Sequence, residues 1–347
     1  MLRRVMGVLM VIFVTTSASA SDFGLREADL HAGESVNGFP NWGERLILAW
    51  MNRARVDPQA EMAKCGPACG EAACYAPVPP LAWTAALNRA ARFHADEMRR
   101  QGYFAHDSKC RIVPSIDSLY PAGCDGSASC ACAGGTAGCP ANDCTSWMER
   151  VSLFGSQPSG EIIALGADPD QSFYLWLFEP FGSPACTFTL QNGHRWLIFK
   201  AGGGVGIGYL DSTRAAVADF GLAPPPYRIP SGTHSPRQAA SVEMWANWYD
   251  TAAPRSAAVV VNGKCTALTL SRGSGTNGAW SATVSGVGSG CHRYYFSFID
   301  SAGREVTYPA TGSLGIGCEE WNSTRAVASC PSTSTPGPGR RRAAGRG

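Results

Sequence analysis

Fourteen cysteines in 347 residues are the tightest constraint on what this chain can fold into. Ten fall between Cys65 and Cys186, and four between Cys265 and Cys330. At this density thiols persist as bridges only where the surroundings are oxidising. Two even groups predict two regions that are oxidised separately. Within the second group, Cys265 and Cys291 could tie two strands and Cys318 could tie the last strand to Cys330, although three pairings are open.

The N-terminus agrees with an oxidising destination. Arg3 and Arg4 precede an apolar run over 5–14, and Ala18-Ser19-Ala20 supplies a small-x-small cleavage site. Residues 1–20 are therefore expected to be a signal peptide that delivers a secreted or extracytoplasmic protein. A membrane anchor needs ~20 apolar residues, about twice this run. No second stretch is long enough to span a bilayer, so no transmembrane helix is expected. In an exported chain the cysteines read as disulfides rather than zinc ligands.

Charge narrows the partners. Without the two arginines of the signal and Arg340, Arg341, Arg342 and Arg346 of the tail, 23 basic and 27 acidic residues remain. That balance gives no nucleic-acid-binding surface. From Pro331 the chain is rich in Ser, Thr, Pro, Gly and Arg, which predicts a disordered basic tail over 331–347.

Five prolines in 223–236 predict a semi-rigid linker. It separates a region of 41–222, preceded by a segment of 21–40, from a region of 237–330. In the first region Asn41 can cap a helix bearing Leu46, Ile47, Trp50 and Met51. Thr84 can cap a second, Ala85 to Gln101, terminated by Gly102. Asp168 can cap a third, with Pro169 in its first turn. Strands are expected at Gly204–Tyr209 and Ala215–Phe220, which makes this region α+β. The second region reads as strands only, at 241–249, 256–262, 265–271, 279–285, 291–299, 304–308 and 312–317. About seven short strands with regular turns predict an antiparallel, immunoglobulin-like β-sandwich. Its aromatics Trp245, Tyr249, Tyr294 and Tyr308 could stack on sugars, but packing is their expected role.

Few residues suit chemistry. His106 lies just past the second helix, and His194 opens a later helical stretch. Glu161 sits in Ser159-Gly160-Glu161-Ile162-Ile163, and Glu179 follows Trp176 by three residues. His94 falls on the apolar face of the second helix and reads as packing. The run Gly202-Gly203-Gly204-Val205-Gly206-Ile207-Gly208 mimics a dinucleotide loop but lacks the βαβ frame. There is no G-x-S-x-G and no H-E-x-x-H.

Taken in order, a series of segments resembles the CAP superfamily, the cysteine-rich secretory, antigen 5 and pathogenesis-related 1 proteins with SCP-like extracellular domains, and especially its bacterial members. The series runs Asn52-Arg53-Ala54-Arg55, Pro80-Leu81-Ala82-Trp83, His94-Ala95-Asp96-Glu97-Met98 and Phe104-Ala105-His106. It continues through Arg150 to Gly155, Gly160-Glu161, Trp176 to Glu179, Gly193-His194-Arg195, Val205-Gly206-Ile207-Gly208 and Asp219-Phe220-Gly221. The likeness covers roughly 42–222. Ile162 stands where the family usually has Asn, and Cys-rich insertions lie around 107–146 and at Cys65, Cys69 and Cys74.

The resemblance implies a three-layer α-β-α sandwich whose cleft is lined by His106, Glu161, Glu179 and His194. It implies a divalent cation, zinc or another, held by His106 and His194. The expected function is a non-catalytic binding module for an extracellular lipid, glycan or protein. One alternative is a metal-dependent hydrolase of peptide or cell-wall substrates, with Glu161 or Glu179 as base. Another is an adhesion or scaffold protein acting through the sandwich.

Overall fold

A computed structural model describes residues 33–35, 37–68, 70–133, 144–179, 186–223, 225–326, 328 and 330. The expected signal peptide and basic tail lie outside the described residues. No helix among the described residues is long and apolar enough to cross a membrane.

Eight α-helices form among the described residues: α1 Trp42–Val56, α2 Pro58–Met62, α3 Ala85–Gln101, α4 Ile116–Leu119, α5 Ala128–Ala131, α6 Trp147–Leu153, α7 Pro169–Leu177 and α8 Gly193–Lys200. The expected caps hold three of them. Asn41 and Glu44 form a reciprocal capping box at α1, with bonds of 3.0 and 2.8 Å. Thr84 accepts the Leu87 amide at α3, and Gly102 ends that helix with φ of 66°. Asp168 accepts the Gln171 amide at α7.

The first sheet has the order β1-β3-β4-β2, from Ala82–Trp83, Gly204–Leu210, Ala215–Gly221 and Pro158–Leu165. Helices cover both of its faces. α1, α7 and α8 pack on the side of Ile162, Val205, Ile207 and Phe220. α3 packs on the other, through Ala91, Ala95 and Met98 against Ile163, Ala215 and Val217. The glycine run explains itself here. A Cβ at Gly206 would lie 1.9 Å from the Asn88 nitrogen, and one at Gly208 would lie 2.3 Å from Ala91. The alternation of glycine with Val205 and Ile207 lets α3 lie directly on β3 while the opposite face stays apolar.

The second region is a pair of antiparallel sheets. One has the order β5-β6-β10-β9, from Gly232–Ser235, Ser241–Tyr249, Asn277–Ser285 and Thr269–Gly273. The other has the order β14-β13-β11-β7-β8, from Trp321–Asn322, Ser313–Ile316, His292–Ile299, Ser256–Val261 and Lys264–Ala267, with β12 (Glu305–Tyr308) also on β11. The single strand expected over 265–271 is two strands, because the chain changes sheet at the buried Leu268. The segment expected as linker is partly structural, since β5 lies within it. Cysteine pairing departs from the expectation: Cys265 bonds Cys330, and Cys291 bonds Cys318. Cys265 on β8 and Cys291 beside β11 flank β7 on opposite sides, so a direct bridge would have to cross a strand.

The two regions share α1, all of whose fifteen residues are buried. Its far side meets β5, β6 and β10. Trp42 donates to His234 O at 2.9 Å, and Asn52 to Ser231 Oγ at 3.3 Å. Trp50 meets Trp245 edge-on, with Arg53 over both rings. Trp245 is thus a packing residue between the regions, and Tyr294 and Tyr308 are core. Each charge on α1 is answered: Glu44 by Arg92, Arg45 by Glu320, Arg53 by Glu61, and Arg55 by three carbonyls.

Candidate functional site

His106 is carried by the loop that follows α3. Gly102 turns the chain out of the helix, and two side chains then pin the loop. His94 bonds Ala105 O through Nε2 at 2.8 Å, and Arg150 of α6 donates to His106 O at 2.9 Å. His94 is therefore buried and polar-bonded, part of the loop's support rather than simple packing. The His106 ring comes to rest with Nδ1 2.8 Å from Glu161 Oε1.

Glu161 projects from β2 toward the α3 side of the sheet. Its other oxygen takes a hydrogen bond from Arg150. Arg150 also donates to Ser108 Oγ, which donates to Glu97. Burial would raise the Glu161 carboxyl, but the Arg150 guanidinium and the imidazoles of His94 and His106 hold it below the usual carboxylate range. Across the strand pair, Asp219 of β4 is the register partner of Glu161 and is fully buried. Among the described residues, neither Asp219 oxygen has a donor. A carboxylate there would be uncompensated, whereas a protonated Asp219 has Glu161 to donate to. Burial and the neighbouring Glu161 charge push Asp219 well above the usual range.

His194 sits in the first turn of α8. Its Nδ1 is 2.8 Å from Glu179 Oε1. Glu179 also accepts the backbone N–H of His194 at 3.4 Å and that of Arg195 at 3.0 Å, so it caps α8 as well as orienting the ring. α8 is fastened at both ends. Arg195 donates to Leu177 O and to buried Glu71, which also accepts from Asn192 and Tyr75. At the other end Arg55 of α1 donates to Ile198 O and Ala201 O, the carbonyls left open there. The disulfide Cys74–Cys186 ties the turn after Glu71 to the approach to α8.

The four expected residues thus come together two by two. In each pair the glutamate is nearly covered and the imidazole is not. Side-chain exposure is 1% for Glu161 against 48% for His106, and 10% for Glu179 against 34% for His194. The two pairs flank elements in contact: a Cβ at Gly160, next to Glu161, would lie 2.5 Å from Leu197 of α8. In each ring Nδ1 is occupied and Nε2 is the atom left to meet a ligand. Exposed Phe104 and Phe188 stand two and six residues from the histidines, and Phe188 packs edge-on to Trp196.

Among the described residues, no group of three or more His, Cys, Asp or Glu is placed to hold a metal ion. Arg150, Asp219 and Glu71 support the site but were not among the expected residues. Arg150 and Asp219 lie within segments that carry the CAP resemblance, so a signal was present. Glu71 lies in a Cys-rich insertion and had none. No protein-family model, curated protein or solved structure matches the chain.

Proposed function

We propose that the chain is an extracellular CAP-type binding protein whose cleft is built on the His106–Glu161 and His194–Glu179 pairs. The observation that carries this reading is the pairing itself. Separate elements deliver two accessible imidazoles, each fixed through Nδ1 by a covered glutamate. Helices on both faces of a four-stranded sheet support the CAP fold. With β5, β6, β7, β9, β10, β11 and β13 taken as strands A to G, the sheets run A-B-E-D and C-F-G, an order that supports an immunoglobulin-like partner domain. Paired disulfides support an oxidising, extracytoplasmic location.

A divalent cation, zinc or another, suits these imidazoles in one respect. A carboxylate on Nδ1 with Nε2 outward is the usual support of a metal-bound histidine. His106 and His194 would hold the ion, and water or ligand oxygens would supply the remaining coordination. Binding is favoured over hydrolysis because both glutamates are already committed. A general base works best with a pKa near the operating pH. Glu161 is instead held as an anion by Arg150, and Glu179 caps a helix. The ligand class proposed is a lipid, glycan or protein outside the cell.

The test is to purify the oxidised protein and compare it with His106→Ala and His194→Ala. Metal content and binding to glycan, lipid and peptide panels are measured for each. Loss of binding in both variants without any turnover supports the binding module. Unchanged metal content and unchanged binding in both would sink it, and loss of a measurable cleavage would favour the hydrolase.

A further inference from the structure

A cavity of about 310 Å³ opens at one end of the β-sandwich, far in sequence from the His–Glu pairs. It lies where the sheets part. β9 follows β10 only as far as Ser281, and β8 has crossed to the opposite sheet, so among the described residues the end of β10 has no strand on that side. Val261, Val284 and Val287 provide apolar lining. Register pairs Lys264 with Val261 and Thr266 with Val259, so both side chains stand on the core side of β8 and line the cavity.

Two of the polar groups there, on Lys264 and His292, can only donate. The Asn262 amide is oriented by the Arg293 N–H on its oxygen, at 3.0 Å, and therefore donates from Nδ2 to His292 Nδ1 at 2.8 Å. That leaves the proton of the neutral ring on Nε2. This atom is buried and has no acceptor among the described residues. Lys264 has no ion pair among the described residues, and no Asp or Glu lines the cavity. A buried N–H without an acceptor costs about 1–3 kcal/mol, and the unpaired ammonium that lines the same cavity attracts an anion.

We propose that this cavity binds a small carboxylate, with the carboxylate held between the Lys264 ammonium and the His292 Nε2–H. One positive charge and one neutral donor match a monoanion; a phosphate dianion would bring a charge that nothing here answers. The hydroxyl of Thr266 and the valine lining suit a hydroxylated body with an apolar face. The volume is at the low end of the about 300–1,000 Å³ typical of ligand pockets, which limits the ligand to roughly one sugar ring. This site is independent of the CAP reading and can fail without it.

The experiment is a ligand-observed NMR titration of the full-length oxidised protein with D-glucuronate, L-lactate and D-glucose. It is repeated on Lys264→Met and Lys264→Arg; Lys264 is exposed, so neither change threatens folding. Saturable carboxylate binding is expected, weakened at least about tenfold in K264M and largely kept in K264R. Preference for glucuronate over lactate assigns a sugar acid, and the reverse assigns a short hydroxy acid. Three results would overturn the proposal: neither carboxylate saturates, K264M binds as well as the parent, or glucose competes as well as glucuronate.

Discussion

Glu161 and Asp219 are register partners on β2 and β4 that share a buried face under α3, and only one of them is served by cationic donors. Asp219 therefore holds its proton to higher pH in the folded state than in the unfolded chain. Its pKa is raised above that of the unfolded chain, so the stability it contributes is full at acid pH and declines as pH rises. Asp219→Asn retains a neutral donor toward Glu161 and abolishes that decline. The variant should match the parent near pH 4 and exceed it at pH 7–8, by about 2–4 °C in Tm for each kcal/mol. Asp219→Ala removes the donor and should cost about 1–3 kcal/mol. Thermal melts across this pH range decide the matter; equal destabilisation by both variants would argue against a shared proton.

Arg150 joins the His106 loop to β2 by donating to His106 O, Ser108 and Glu161 from a fully buried guanidinium. Arg150→Met strands the Glu161 carboxylate in the interior, at a cost of about 3–5 kcal/mol. Arg150→Lys should recover little, because one ammonium cannot reproduce the two-armed geometry. Urea unfolding measures the loss. A His106 ring resonance that broadens in R150K while the His194 resonance stays sharp would locate the effect in this loop.

What was legible in the sequence follows from local chemistry. The helices at Asn41, Thr84 and Asp168 begin where a side-chain oxygen can take a first-turn amide three residues on, a spacing that the local sequence carries. The strand 241–249 is recovered to the residue because its alternation is matched to one buried face. Gly232–Ser235 was hidden by Pro230 and Pro236 on either side of it, which read as linker although the segment forms a hairpin with β6. β2 carries a continuous buried run, Gly160–Ala164, with no alternation to mark it. The Cys265–Cys330 and Cys291–Cys318 pairs depend on strand order, which spacing does not encode. His106 and Glu161 were named as cleft residues; that one bonds the other is a product of the fold.

His234 gives the junction between the regions a pH dependence. It is buried between Tyr294 OH on Nδ1 and Arg237 O on Nε2, at 2.9 and 3.0 Å. Burial, reinforced by Arg45 and Arg237, pushes its pKa down to about 4 from 6.5. The unfolded chain then binds a proton that the folded chain refuses, so stability falls as pH drops from about 6.5 toward 4. The loss approaches about 3 kcal/mol at the acid end. His234→Gln keeps a donor and an acceptor but does not titrate. Chemical denaturation of parent and variant between pH 4 and 7 should give curves that converge at the acid end. A constant offset would remove His234 from the account.

Arg45 and Glu320 make the closest ionic contact between the two regions among the described residues, 2.6 Å, with the arginine fully covered and the glutamate a quarter exposed. Glu320→Gln should cost about 2 kcal/mol, less than the ~3–5 expected for a pair buried on both sides. A more severe test follows from α1, which is wrapped by the first sheet on one side and by β5, β6 and β10 on the other. Ending the chain at Leu222 would expose Trp42, Trp50 and the covered Arg45 together. The shortened protein should bind the dye ANS, lose its near-UV circular dichroism and unfold in urea without a cooperative step. A sharp, parent-like transition from that fragment would mean that α1 is stabilised by the first sheet alone. The sandwich would then be an appendage rather than half of the helix's surroundings.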